Sequence, residues 1–463
     1  MTDKYDDLPI AIIGAGPVGL AAAANLVERG LTPLVFEAGR RVGAAIRQWG
    51  HIRLFSPWRH NIDPASRRLL EPQGWTGPRL SSLPYGADLV EQYLAPLAAL
   101  PAIASALRLS TTVTAVSRAG MDKTHSRGRD GRPFLVRTRA ADGTTTDHRV
   151  RAVIDTSGTW TQPNPVGQAG LPAPGEAEAI ARGLITRPLP DVIGADRERF
   201  AGRHVLVIGA GHSAANTLIS LGQLAKNAPG TRISWAVRAA DATSLYGGGD
   251  LDGLPARGRL GTTLRTLVDD GHVALHTSFT TTSFSTGQGL KVTGATPDGE
   301  VTLGVDLLIP ATGFRPDLAF LREIRLDLDP AVEAPRALAP LIDPELHSCG
   351  TVPAHGARLL AHPEKGFYIA GAKSYGRAPT FLLATGYEQV RSIVASLAGD
   401  SAAADQVHLE LPETGVCSTD LGGSCDLPAG STAQDEAVAS CRATSEPVVS
   451  GIPTGLAHGR SVK

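Results

Sequence analysis

Two stretches of the chain carry the same order of apolar and turn-forming residues. An apolar run, Ile10-Ala11-Ile12-Ile13, leads into Gly14-Ala15-Gly16-Pro17-Val18-Gly19, and a helix-forming segment from Leu20 to Arg29 follows and stops at Gly30. A second apolar run, Pro33-Leu34-Val35-Phe36, ends in Glu37. A short, wholly apolar run bounded by turn residues predicts a strand buried on both faces, and strands alternating with a helix predict a parallel βαβ unit. The pattern returns at His204-Val205-Leu206-Val207-Ile208, continues through Gly209-Ala210-Gly211-His212-Ser213-Ala214 and a helix from Ala215 to about Leu224, and ends in the strand Arg232 to Val237 with Arg238 beyond it. The fold class expected is α/β, with two Rossmann-like domains.

The glycine spacing carries chemistry. In a strand-to-helix turn of the form G-x-G-x-x-G, the first glycine permits the tight turn, the second lets a pyrophosphate approach the backbone, and the third lets helix pack on strand. Gly14, Gly16 and Gly19 fill these places in the first unit, with Pro17 at the helix start; Gly209, Gly211 and Ala214 fill them in the second, next to Ser213. The helix N-terminus adds free N–H groups and partial positive charge. Glu37, 23 residues after Gly14, suits ribose hydroxyls. Arg238 stands at the matching strand end of the second unit, where an arginine suits a 2′-phosphate, so NADPH is preferred there and NADH remains possible. Two dinucleotide folds in one chain suggest hydride relay from a nicotinamide to bound FAD.

The chain of 463 residues allows two or three domains, and a net charge of −1 argues against a nucleic-acid partner. No apolar stretch is long enough to span a bilayer, the first residues are polar and acidic, and four cysteines suit a reducing compartment, so a cytoplasmic protein without membrane contact is expected. Residues 401–463 hold eight acids and three bases and are rich in Gly, Ser and Ala, which predicts a disordered acidic tail after a body ending near Gly399. The oligomeric state is not legible in the sequence.

Further segments resemble a known superfamily. Val153-Ile154-Asp155-Thr156-Ser157-Gly158, followed by Thr159 to Pro165, and Leu307-Leu308-Ile309-Pro310-Ala311-Thr312-Gly313-Phe314 look like the paired strand-and-turn elements of two-dinucleotide-binding flavoproteins, the glutathione-reductase-like superfamily. Phe200-Ala201-Gly202-Arg203, Leu83-Pro84-Tyr85-Gly86 and a helix from Ala87 to Leu100 are similar too, and the resemblance, covering about residues 8–398, is strongest to the flavin-containing monooxygenase-like branch. It implies an FAD domain of residues 1–165 and 310–400, an inserted NAD(P)H domain of residues 166–309, and the tail 401–463. It also implies cofactor contacts at Trp49, Val113, Gly158, Thr312, Gly313 and Gly371. Gly366 to Lys373 resembles the last FAD strand, with Ala372 where the family usually has an Asp, and a helix from about Thr380 to Ala398 follows. The glycine-rich stretch Tyr246 to Gly261 reads as a loop near the nicotinamide, and 166–200 as a crossover.

For the chemistry itself, the cysteines offer no Cys-x-x-Cys: Cys349 stands alone, and Cys417, Cys425 and Cys441 are spaced too widely for zinc, so no metal site is expected. The stretch 47–63 resembles the family segment that passes the flavin ring, and Ser56, Arg59 and Asn61 are its candidate catalytic donors, aimed at developing negative charge. Leu206 falls where the monooxygenase pattern beginning Phe200-x-Gly202 has a His. The activity implied is NADPH-dependent, FAD-based oxygenation of a small nucleophilic substrate with O₂. The alternative is an NAD(P)H-dependent reductase of a thiol, disulfide or metalloid that uses the tail cysteines.

Overall fold

The computed structural model describes residues 5, 7–247, 254–343, 352–378 and 382–409. The chain enters through β1 (Ile10–Ile13), crosses by the helix Pro17–Glu28 to β2 (Pro33–Phe36), and adds β3 (Leu107–Arg108). An antiparallel meander follows, β4 (Thr111–Arg118), β5 (Phe134–Ala140) and β6 (Thr145–Val150), and β7 (Ala152–Asp155) returns beside β1. The second half repeats this itinerary. β8 (His204–Ile208) crosses by the helix His212–Asn227 to β9 (Arg232–Ala236), then comes β10 (Ala274–His276). A second meander, β11 (Thr280–Gly287), β12 (Gly289–Thr296) and β13 (Gly299–Val305), precedes β14 (Leu307–Pro310), which pairs with β8. Only β15 (Phe367–Ile369) breaks the symmetry, extending the first sheet beside β7. The parallel orders are therefore β15-β7-β1-β2-β3 and β10-β9-β8-β14.

Alternation of side chains gives each sheet two covered faces. Ile10 and Ile12 point into the helix layer, whereas Ala11 and Ile13 point toward the first meander. In β8, Val205 and Val207 face the helices, and Leu206 and Ile208 face the second meander. This two-sided burial is why these strands are apolar throughout.

The helix expected over Ala87–Leu100 runs from Gly86 to Ala99 but passes through a π turn at Val90–Leu94. Pro96 explains it: it has no N–H for the Gln92 carbonyl, and the Trp75 indole donates to that carbonyl instead, at 2.8 Å. Three sequence expectations are corrected. The stretch Tyr246 to Gly261 is not one loop, because Pro255 opens a 15-residue helix to Asp269. Gly261 lies in that helix because a Cβ there would sit 1.6 Å from the Tyr246 carbonyl oxygen. The body does not stop near Gly399: Ser401–Asp405 is helical, and Ser392 donates to the Ala404 carbonyl at 2.6 Å. Residues 184–186 of the crossover are not mere linker, since Ile185 bridges Leu308 at the edge of the second sheet. No helix among the described residues is long and apolar enough to cross a membrane.

Candidate nucleotide and substrate sites

The two glycine loops sit at the carboxyl ends of β1 and β8, where parallel sheets expose backbone N–H groups to ligands. Gly14 takes φ +100°, and a Cβ there would press 3.0 Å from the Thr156 carbonyl oxygen. Gly19 is held to glycine by the loop itself, since its Cβ would fall 1.9 Å from the Gly14 carbonyl oxygen. Gly16 is different: a Cβ on it meets nothing within 4 Å. Protein packing therefore does not demand glycine at 16, and the open side is the face on which a phosphate would approach. Pro17 occupies the first helical turn, where its missing N–H costs nothing. Glu37, half-buried at the end of β2, accepts from Ala15 N at 2.8 Å and Gly39 N at 2.7 Å, one amide per oxygen. Each oxygen keeps a lone pair for a ribose hydroxyl.

The second loop repeats the logic with other contacts. Gly209, at φ +133°, would place a Cβ 2.1 Å from the Ala311 carbonyl oxygen, and the Trp235 indole donates to the Gly209 carbonyl at 2.7 Å. Gly211 again has open space around a would-be Cβ. Ala214 is fully buried and donates to the Gly211 carbonyl at 2.9 Å, while Ser213 is half-buried beside it. Arg238 stands exposed just past β9 and makes no ion pair among the described residues.

The strand-and-turn motifs are the lids under these loops. Thr156 donates to the Ile13 carbonyl at 2.8 Å and the Gly14 carbonyl at 3.2 Å, and Gly158 and Gly313 turn the chain at φ +71° and +81°. Beyond them the two crossovers pair as an antiparallel ribbon between the sheets. Asn164 N donates to Gly313 O at 2.9 Å, Thr312 Oγ1 to Asn164 O at 2.7 Å, and the Trp160 and Phe314 rings meet at 4.9 Å.

Sequence reasoning missed a buried ion pair next to the first loop. Lys373 Nζ lies 2.6 Å from Asp155 Oδ2, both side chains fully buried, with Ser157 N and Oγ donating to Asp155 Oδ1 at 3.0 and 2.7 Å. The Lys373 ammonium also faces the Phe320 ring at 4.4 Å. The pair ties the ends of β7 and β15 together, directly after Gly371, whose N–H donates to Gln389 Oε1 at 2.7 Å. A lysine directly after the apolar run Gly366–Ala372 was the available signal.

The remaining candidates separate. Trp49 lies along Gly86, where a Cβ would touch its ring at 2.8 Å, and Val113 is buried in β4 at a bulge. Ser56 and Asn61 come together: Ser56 Oγ donates to Asn61 Oδ1 at 3.0 Å, and Asn61 Nδ2 donates to the carbonyls of Ser56 and Pro57 at 2.8 and 3.0 Å. Asn61 is fully buried, and its carbonyl takes the Tyr387 hydroxyl at 2.8 Å, so its side chain is spent on shaping the turn. Arg59 differs, standing exposed on a cavity of about 340 Å³ that reaches Arg259. Phe55 beside it meets the His212 ring of the second loop at 5.3 Å, which brings the segment 47–63 against the second glycine loop. Cys349, Cys417, Cys425 and Cys441 lie outside the described residues, and among the described residues no cluster of metal-ligating side chains occurs.

Residues 12–67 match the model of an NAD(P)-binding Rossmann-like domain. Over 50 residues the chain is 44% identical to the thiamine thiazole synthase of Pyrobaculum aerophilum, a match that spans 11% of this chain and about a fifth (19%) of that protein. Over 321 residues the chain is 25% identical to the bifunctional thioredoxin reductase/thioredoxin of Mycobacterium leprae, covering 69% of this chain and 54% of that one. Among solved structures, the bacillithiol disulfide reductase of Bacillus cereus superposes with a TM-score of 0.61 at 19% identity, covering 85% and 99% of the two chains. The FAD-bound cadaverine monooxygenase of desferrioxamine biosynthesis from Erwinia amylovora gives 0.60 at 14%, covering 93% and 100%. The fold is that of the two-dinucleotide-binding flavoproteins, shared by disulfide reductases and flavin monooxygenases.

Proposed function

We propose that this chain is an NADPH-dependent FAD oxidoreductase of the monooxygenase-like kind, with O₂ and a small nucleophilic molecule as its other reactants. The observation that carries the cofactor assignment is the contrast within each glycine loop. Gly14, Gly19 and Gly209 are needed for packing, whereas Gly16 and Gly211 open onto free space at a helix N-terminus. FAD would lie on Gly14, Gly16, Pro17 and Gly19, with its ribose at Glu37 and its further contacts at Trp49, Val113, Gly158, Thr312, Gly313 and Gly371. NADPH would lie on Gly209, Gly211, Ser213 and Ala214, with Arg238 for the 2′-phosphate. The domains assigned on this reading are 1–165 and 310–400 for FAD, extended by the helix Ser401–Asp405, and 166–309 for NADPH. When bound, FAD supplies the two-electron chemistry between NADPH and the oxidant.

The chain's own residues then have distinct tasks. The helix N-termini offer amides to the pyrophosphates. Ser56 and Asn61 hold the turn that presents Arg59 and Phe55 at the junction of the two sites. Arg59 offers a fixed positive charge to an anionic reactant. The Trp160–Phe314 contact joins the two crossover segments. The lack of any Cys-x-x-Cys supports delivery of electrons to a diffusible acceptor over a dithiol relay. The likeness to the Mycobacterium leprae reductase supports a second reading, a thiol, disulfide or metalloid reductase working through Cys417, Cys425 and Cys441.

The test is anaerobic reduction of the FAD-loaded protein by NADPH and by NADH, then admission of O₂ with peroxide release recorded. Reduction by NADPH is expected, with Arg238→Ala raising KM for NADPH about tenfold and leaving KM for NADH unchanged. No reduction by either nucleotide overturns the proposal. Truncation after residue 409 separates the readings: retained turnover supports oxygenation, and lost turnover supports the reductase.

A further inference from the structure

Between the segment Phe55–His60 and the first turn of the helix Pro255–Asp269 runs the cavity of about 340 Å³ introduced above. Its lining combines apolar side chains, Phe55, Leu83 and Leu254, with the polar and charged side chains of Arg59, His60 and Arg259. No carboxylate lines it among the described residues. Arg59 and Arg259 come from elements far apart in the chain and are both exposed, and neither forms an ion pair among the described residues. Two exposed guanidinium groups lining one cleft without a carboxylate give it a net positive character. The N-terminal end of the 15-residue helix adds partial positive charge to the same cleft.

We propose that this cleft binds an organic anion, an apolar body carrying one carboxylate or comparable oxyanion, and that this is the substrate class of the site. The second half rests on the function proposed above; the binding does not. The apolar side chains accept the body, and the two guanidinium groups take the oxyanion as paired donors. His60 is a neutral donor at physiological pH, since burial and then the charge of Arg59 hold it below its ordinary value. A cavity of this size suits a small metabolite.

The shared chemistry, an oxyanion, could also come from the phosphates of NADPH, and the experiment separates the two. Isothermal titration of the FAD-loaded full chain uses benzoate and its uncharged analogue benzamide as probes. Benzoate is expected to bind one per chain and benzamide at least tenfold more weakly, with Arg59→Ala and Arg259→Ala each weakening benzoate about tenfold. Arg137→Ala, on the outer face of the first meander, is the control that leaves binding unchanged. Absence of benzoate binding, or equal binding by wild type and both cleft variants, overturns the proposal. Loss of benzoate binding in saturating NADP⁺, together with a raised KM for NADPH and NADH in Arg259→Ala, assigns the cleft to the cofactor's phosphates and also overturns it. NADPH consumption is measured separately on the same preparation. If it is absent while benzoate binds through both arginines, the proposed function fails and the anion site stands.

Discussion

Exchanging single glycines for alanine tests the two nucleotide sites one at a time. Gly16 and Gly211 have φ near −81° and −88°, ordinary for any residue, and a Cβ on either meets nothing within 4 Å. Alanine there stiffens the unfolded chain, which stabilises by about 0.4–1 kcal/mol. It is also a poorer helix N-cap than glycine, which costs a similar amount. The two terms nearly cancel, so the melting temperature of the FAD-free protein should hardly move. Binding behaves otherwise. A methyl at the point of closest approach displaces a pyrophosphate and forfeits one or two charge-assisted hydrogen bonds, about 3 kcal/mol together, on the order of 10²-fold in Kd. Gly16→Ala should therefore lose FAD by flavin-fluorescence titration while the chain stays folded, and Gly211→Ala should lose NADP⁺ while FAD stays bound. Gly19→Ala is the contrasting case: with a Cβ 1.9 Å from the Gly14 carbonyl oxygen the loop must move by more than ~1 Å, and overpacking of that kind costs about 1–3 kcal/mol. Unchanged FAD affinity in a folded Gly16→Ala variant would refute the placement of the pyrophosphate on this loop.

Two further predictions concern buried charge. Lys373→Met should destabilise by about 3–5 kcal/mol, because the Asp155 carboxylate is left buried with only Ser157 donating to it, and Asp155→Asn added to it should restore most of the loss. Denaturant midpoints check the cycle; a single-variant cost below ~1 kcal/mol would show that the pair is not coupled as described. Asp63 caps the helix Pro64–Leu70 through Ser66 N, and its pKa is pushed up to about 6 by burial, against the pull of the Ser66 and Asn25 hydrogen bonds. The folded chain thus holds this proton where the unfolded chain has released it, so stability falls as pH rises from about 4 through 6, by about 3 kcal/mol at most. Asp63→Asn keeps the cap and should flatten that slope and gain stability at pH 7.5 in thermal melts, whereas an unaltered slope would show that Asp63 is not its source.

The parallel strands and glycine loops were legible because their signals are local. Ile10–Ile13 and His204–Ile208 are apolar on both faces for the reason the sheets require, and each is followed at once by its loop. The meanders were not read, since strands such as Thr145–Val150 are largely exposed and alternate too weakly to stand out from loops. The start of the helix at Pro255 was masked by Gly258 and Gly261, and Gly261 is there for its close approach to the Tyr246 backbone, not for a turn. The Asp155–Lys373 pair shows the opposite limit: both residues were in view, but their contact joins two strand ends that only the sheet order makes neighbours.

The repeated itinerary also says where specificity has to lie. Both halves run strand, glycine loop, helix, strand, strand, meander and return strand, so each half presents one glycine-loop edge. Two copies of one architecture cannot by themselves define a third ligand. What differs between the halves is what each inserts: the first adds the segment 47–63 and its flanking helices, the second the stretch leading into Pro255–Asp269. These two insertions share the cleft lined by Arg59 and Arg259, and Phe55 of the first also meets the His212 ring of the second glycine loop. On the proposed function, selectivity for the third reactant is set by side chains of these insertions. Changes at Arg59, Phe55 or Arg259 should therefore alter which acceptor is used while leaving FAD and NADPH binding to the glycine edges.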